Sequence, residues 1–193
     1  DFVVLNKAPG IGMHDEEGIL GLVSEARAQL GMTLYPVHRL DKVTSGLLIL
    51  ARNVEANRAL SQAFAERQVT KVYLALSQHK PKKKQGWIKG DMARGRRGTW
   101  LLTRSQLNPA ITWFESEGLG EGVRLFTVHP KTGKTHQIRV ALKSLGAPIL
   151  GDELYGAASS DRVYLHSFRV GFTYQGTSWT FTSLPEQGEL YAD

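Results

Sequence analysis

Five consecutive apolar residues, Leu47-Leu48-Ile49-Leu50-Ala51, follow directly on the polar run His38-Arg39-Leu40-Asp41-Lys42-Val43-Thr44-Ser45-Gly46. So short a run with no polar face reads as a buried strand. Weaker patterns extend this. Val3 to Lys7 reads as a short strand. Gly18 to Leu30 reads as a helix with Leu22, Ala26 and Leu30 on one face and Gly31 just past its end. Asn53 can cap a helix that carries Ala56, Leu60, Ala63 and Phe64. Thr70 to Ser77 alternates, with Val72, Leu74 and Leu76 on one face and Tyr73 on the other. Further strands are expected near Ala110–Glu115, Val123–Val128, Tyr164–Tyr174 and Ser178–Thr182. Thr135 is expected to cap a helix to Leu145, with Ile138, Ala141, Leu142 and Leu145 inward and Gly146 at its end. Helices that interrupt antiparallel-looking strands make an α+β chain rather than a doubly wound one. The stretch from Pro81 to Gly90 reads as a hinge or an inserted loop.

Length and composition narrow the class. A chain of 193 residues supports one domain with a real core, expected over residues 1–193. Apolar residues make up 41% and charged residues 22%, which is ordinary for a globular protein and argues against wholesale disorder. No stretch approaches the roughly 18 apolar residues of a membrane helix. The start, Asp1-Phe2-Val3-Val4, has neither the charged region nor the cleavage site of a signal peptide. The absence of cysteine excludes disulfides, thiolate zinc sites and cysteine nucleophiles. It also fits a reducing compartment, so a cytoplasmic protein is expected. No coiled coil or repeat suggests self-association, so the expectation is a monomer.

Charge is unevenly placed. The net charge is +6, yet residues 80–104 alone carry +8: Lys80, Lys82, Lys83, Lys84, Lys89, Arg94, Arg96, Arg97 and Arg104 face a single acid, Asp91. Trp87 and Trp100 lie among them. A concentrated positive field with aromatic rings suits a phosphate backbone, whose counterions are released on binding. The alternative is a solvated loop. An anionic membrane fits less well, because no amphipathic helix spans the patch.

Chemistry-bearing motifs are few. The six histidines show no metal-ligand spacing, so no metal is expected. Gly133-Lys134-Thr135 resembles the end of a phosphate loop, but Val128 stands where its first glycine belongs. No Gly-x-Ser-x-Gly elbow is present. The segment around Asp41 places a carboxylate between Arg39 and Lys42, beside Thr44, Ser45 and Gly46 and at the end of a rigid strand. Residue types alone favour a surface turn in which Asp41 bonds backbone amides. The alternative is a positioned catalytic group. Lys131 to Arg139 reads either as an ordinary capped helix start or as one lined with functional polar groups.

In combination these segments resemble the RluA-type family of RNA pseudouridine synthases. Asn6-Lys7-Ala8-Pro9-Gly10 is similar to the family's opening Asn-Lys-Pro-x-Gly. His38 to Ala51 matches its central motif nearly residue by residue. Lys71-x-Tyr73-x-Ala75 and Asn108-Pro109-Ala110-Ile111-Thr112 follow in order. Gly133-Lys134-Thr135-His136-Gln137-Ile138-Arg139, Leu145 to Asp152, Tyr155-Gly156 and Leu165-His166 complete the pattern. Ala8-Pro9 inverts the common order, Ala141 stands where many relatives have histidine, and Ser77 replaces a frequent glycine. These departures bear on the RNA target, not on the reaction.

The resemblance implies the pseudouridine synthase fold, a mixed and mainly antiparallel bent sheet flanked by helices around a central cleft. It implies a catalytic domain without the separate N-terminal RNA-binding domain of many relatives. It implies isomerisation of uridine to pseudouridine in structured RNA, either ribosomal or transfer RNA, with no cofactor and no metal. Asp41 matches the essential carboxylate, which attacks the sugar or the uracil or removes a sugar proton. Arg139 matches the arginine that pairs with that aspartate, and Tyr73 the ring that packs on the base. Arg39 matches the residue that holds the flipped nucleotide. With Lys82, Lys83, Lys84, Arg94, Arg96, Arg97 and His136 it makes the expected RNA-binding set. A non-catalytic RNA-binding protein would explain the basic patch alone, and an acid–base enzyme acting on a small anion would explain only Asp41 and the charge.

Overall fold

The computed structural model describes residues 1–15 and 21–191. Those within 1–70 and from 167 onward form one compact unit, and those within 71–166 form another.

The first unit is built on the apolar run. Strand β3 (Ser45–Ala51) is buried at every position. β1 (Phe2–Lys7) pairs antiparallel with it, from Phe2 opposite Ala51 to Lys7 opposite Gly46, and the two-residue β2 (Tyr35–Pro36) also pairs with β3. β10 (Leu165–Tyr174), whose residues from Ser167 on lie in this unit, follows β3 in the sheet and pairs with β11 (Thr177–Thr182). Helix α2 (Val54–Ala65) starts as expected: the Asn53 side chain accepts the Ala56 amide at 2.8 Å, satisfying one of the free donors of the first turn. It lays Ala56 and Leu60 on Leu47, Ile49 and Ala51, with Val170 and Phe172 completing the cluster. Each large side chain hidden there contributes about 1.5–3 kcal/mol.

Helix α1 (Leu22–Leu30) ends as expected at Gly31, which adopts a left-handed φ of 62° and returns its amide to the Arg27 carbonyl. Its buried face differs from the expectation. Val23 and Ala26 point inward, whereas Leu30 is exposed. In so short a helix the last residue lies at the rim, beside the turn made by Gly31. The expected start at Gly18 lies outside the described residues.

In the second unit, β4 (Thr70–Ser77), β9 (Val123–Pro130), β8 (Ala110–Gly120) and β5 (Gln85–Gly90) form a sheet in that order, each pair antiparallel. Alternation holds across it. Tyr73 lies opposite Val128 and Val128 opposite Phe114, so these three share one face, and Phe114 and Val128 are fully buried. Helix α3 (Gln137–Ser144) packs on β8 and β9 and buries Ile138, Ala141 and Leu142.

Two expectations need correction here. The helix does not start on a Thr135 cap. His136 occupies the cap position with a left-handed φ of 56°, and its side chain makes no cap bond. The basic stretch is not a plain loop either. It contains β5 and then a separate hairpin, β6 (Met92–Arg94) with β7 (Trp100–Leu102). Among the described residues, three α-helices and a mostly antiparallel sheet make the α+β class that the sequence suggests.

Candidate functional site

Asp41 stands in a loop of the first unit whose main chain is fastened from several sides. The Asp41 carbonyl accepts the Thr44 amide at 3.0 Å, closing a tight turn, and the Lys42 carbonyl accepts the Gly10 amide at 2.8 Å. The same carbonyl takes a second bond from Lys7. That side chain is 1% exposed, and its Nζ donates to the carbonyls of Ala8 at 2.9 Å, Ile11 at 2.7 Å and Lys42 at 3.0 Å. An ammonium has three hydrogens, and these three acceptors offset its desolvation. On the N-terminal side, His38 accepts the Ile49 amide at Nε2 (2.9 Å) and stacks on Phe64 at 4.2 Å. That bond leaves Nε2 without a hydrogen.

The glycine of this motif has a steric reason. Gly46 adopts φ 109°, and a Cβ there would lie 2.2 Å from the Ser167 carbonyl oxygen. Only glycine fits so close an approach. Asp41 is half-buried in the loop that leads into the fully buried strand β3, with the exposed Arg39 and Lys42 on either side.

In the second unit the start of α3 is fastened by side chains. Buried Gln137 uses its whole amide. Its Oε1 accepts from the Thr132 hydroxyl (2.6 Å) and the Lys134 amide (3.0 Å). Its Nε2 donates to the Ile111 carbonyl (3.1 Å) and the Thr112 hydroxyl (3.0 Å). The loop before the helix is thus tied to β8. Arg139, one turn in, makes a bidentate pair with Asp152: Nε to Oδ2 at 2.9 Å and Nη2 to Oδ1 at 2.8 Å, both side chains buried. A planar fork held in this way has a fixed direction. Its guanidinium also lies 5.1 Å from the Tyr155 ring centroid.

Lys71 and Tyr73 share a face of β4, two residues apart. Lys71 Nζ donates to the Thr132 carbonyl at 3.2 Å. Burial pushes its ammonium down from 10.5 to about 8. Tyr73 is half-buried.

The basic residues of the second unit are mostly solvent-facing. Lys82, Lys83, Lys84, Arg94, Arg96 and Arg97 are all exposed, the last two at the tip of the β6–β7 hairpin. Arg94 lies 5.2 Å from the Trp100 ring centroid. The one acid of this segment has a structural task. The Asp91 carboxylate accepts the Ser105 hydroxyl at 2.6 Å and the Asn108 and Leu107 amides at 2.7 and 3.1 Å. The Ser105 bond above all holds its pKa below the usual value. Asp91 thus closes the base of the hairpin instead of neutralising its tip.

Of the residues singled out in the sequence, Asp41 and Arg39 belong to the first unit, and Tyr73, His136, Arg139 and the six exposed cations to the second. Sequence reasoning passed over Lys7, Lys71, Gln137, Asp152 and Tyr155 as individuals, although each lies inside a quoted motif. The available signal was composition: lysine, glutamine and aspartate at positions flanked by core residues. Among the described residues, no group of three His, Cys, Asp or Glu side chains could hold a metal ion. No described helix is long and apolar enough to cross a membrane.

Residues 1–144 match the family model described as RNA pseudouridylate synthase. An uncharacterized RNA pseudouridine synthase of Haemophilus influenzae is 50% identical over 99% of this chain and 87% of its own length. The ribosomal large subunit pseudouridine synthase C of Pasteurella multocida is 35% identical over 92% of this chain, which spans 59% of that protein. Among solved structures, human RNA pseudouridylate synthase domain containing 1 superposes with a TM-score of 0.80 at 28% identity, covering 96% of this chain and 80% of that one.

Proposed function

Because the chain belongs to the RNA pseudouridylate synthase family, whose members are isomerases, we propose that it converts specific uridines of a structured RNA to pseudouridine through Asp41. In that exchange the N1–C1′ bond breaks, the uracil turns, C5 bonds to C1′, and the hydrogen on C5 leaves as a proton while N1 takes one up, so the product is an isomer of the substrate. No atom is added from outside and nothing is oxidised, so the reading requires no cofactor. The observation that carries it is the fastening of the Asp41 loop. Two main-chain bonds and a buried lysine immobilise a half-buried carboxylate, as a nucleophile or base must be immobilised to act in one direction.

Each remaining role is assigned by position in the family pattern, with the local geometry in support. Arg139, its fork directed by Asp152, supplies the guanidinium counterpart of the carboxylate. Tyr73 offers a half-buried ring to the uracil. A base inside structured RNA must leave its stack, at a cost of a few kcal/mol. Arg39 and His136 hold the opened nucleotide, and the exposed cations from Lys82 to Arg97 offset the cost through phosphate contacts. The name of the Pasteurella relative supports ribosomal RNA as the target class. The same reading has the protein act as a monomer in the cytoplasm.

The test is a map of pseudouridines in total RNA from cells with and without the protein. One or a few ribosomal positions should revert to uridine in its absence, and purified protein should restore them. Loss confined to transfer RNA would move the target but keep the reaction. No difference in cells, together with no product from the purified protein on total RNA, would leave only an RNA-binding protein.

A further inference from the structure

One side chain in the second unit connects more of the proposed machinery than its position suggests. Tyr155 ends the 3-10 turn Glu153–Tyr155 and is 5% exposed. Its hydroxyl accepts the Trp100 amide, on strand β7 of the basic hairpin, at 3.0 Å. The same hydroxyl lies 2.7 Å from His136 Nδ1 at the start of α3. The His136 ring stands edge-on to the tyrosine ring at 5.7 Å, and the Arg139 guanidinium lies over that ring. Trp100 is paired across the hairpin with Arg94, whose guanidinium covers the indole. A chain of direct contacts thus runs from Arg94 through Trp100 and Tyr155 to His136 and Arg139.

We propose that the Tyr155 hydroxyl is a positioning group that ties the basic β6–β7 hairpin to the start of α3, so that RNA gripped by the hairpin is held in register with His136 and Arg139. The proposal deepens the RNA-modifying reading above and rests on it. The Trp100 N–H occupies one lone pair of the hydroxyl oxygen, which leaves its hydrogen and its second lone pair to meet His136 Nδ1. On this proposal the hydroxyl donates there, and the imidazole carries its hydrogen on Nε2. His136 also holds a left-handed φ of 56°, a conformation a side-chain-bearing residue keeps only where its surroundings over-determine it. The Tyr155 bond on one side and the Gln137 network on the other provide that determination.

The experiment removes one oxygen. Tyr155→Phe keeps the ring beneath Arg139 and loses both hydroxyl bonds. With in vitro-transcribed large-subunit ribosomal RNA, its KM and Kd should rise about five- to tenfold, the size of one net hydrogen bond, while kcat stays within about twofold. In the background Arg94→Gln/Arg96→Gln/Arg97→Gln, the same substitution should cost less than about twofold, because the residues through which it acts are gone. Nitrogen-15 shifts of His136 should report the Nε2–H tautomer in the wild type and a mixture in Tyr155→Phe. An unchanged Kd, an equal penalty in both backgrounds, or an unaltered His136 tautomer overturns the proposal. If the wild-type protein makes no pseudouridine, the enzymatic reading fails by itself, and the Kd cycle and the His136 shifts still decide the role of Tyr155.

Discussion

The loop at Asp41 and the start of α3 are both rigid, but they are held by opposite means. Around Asp41 the bonds run between main-chain atoms, with Lys7 reaching in to gather three carbonyls. Around Arg139 they run between side chains: Gln137 to Thr132 and Thr112, Arg139 to Asp152, His136 to Tyr155. A main-chain clamp makes few demands on neighbouring residue types and extreme demands on one or two of them. A side-chain network spreads its demands, and each member can be loosened separately.

Substitutions can break that contrast in order of size. The largest stability effect is expected at Gly46. Ala at this position would drive a methyl group to 2.2 Å from the Ser167 carbonyl, and β3 could accept it only by moving away from β10. A loss of about 4 kcal/mol or more is expected, measured by urea unfolding. A loss below about 1 kcal/mol would show that the clamp is soft. Next comes Asp152→Asn, which strands a buried guanidinium. About 3 kcal/mol should be lost, and pseudouridine formation should fall with it as Arg139 loses its direction. Full activity would show that Arg139 is held by something else.

Lys71 gives a smaller and pH-dependent effect. Its ammonium releases its proton near pH 8 in the folded protein and near 10.5 in the unfolded chain. Between those values the unfolded chain binds more protons, so stability rises with pH and is lost again as pH falls through 8. Relative to Lys71→Met, the wild type should gain on the order of 2 kcal/mol between pH 7 and 10.5. Parallel curves for the two proteins would place Lys71 in water. The smallest effect on the fold is expected from Lys82→Gln/Lys83→Gln/Lys84→Gln, all three exposed. The melting temperature should stay within about 2 °C, while the slope of log Kd against log salt falls by roughly 2. An unchanged slope would remove these lysines from the RNA-binding face.

Much of this was legible in the sequence wherever a local pattern decides the structure. The run Leu47–Ala51, the Asn53 cap and the alternation of Thr70–Ser77 each describe an element that forms on its own terms, and each stands where it was expected. The hairpin was not legible, since its strands are three residues long and its base depends on Asp91 reaching Ser105, Leu107 and Asn108. Nor was the start of α3. Thr135 has the chemistry of a cap, but Gln137 fixes the preceding loop and makes that cap unnecessary. Tyr155 was named only as part of a motif, because its partners lie 55 and 19 residues away in the chain. Asp41 was legible as a residue and its loop was not. Nothing local announces that Lys7 is buried.

The central claim is that the Asp41 carboxylate carries the reaction while its loop is held by everything else. Asp41→Asn is nearly isosteric and leaves every main-chain bond of that loop in place. Pseudouridine formation on ribosomal RNA should fall by about a thousandfold or more, with the melting temperature and the RNA affinity unchanged. A variant that still converts uridine within about tenfold of the wild-type rate would contradict the account.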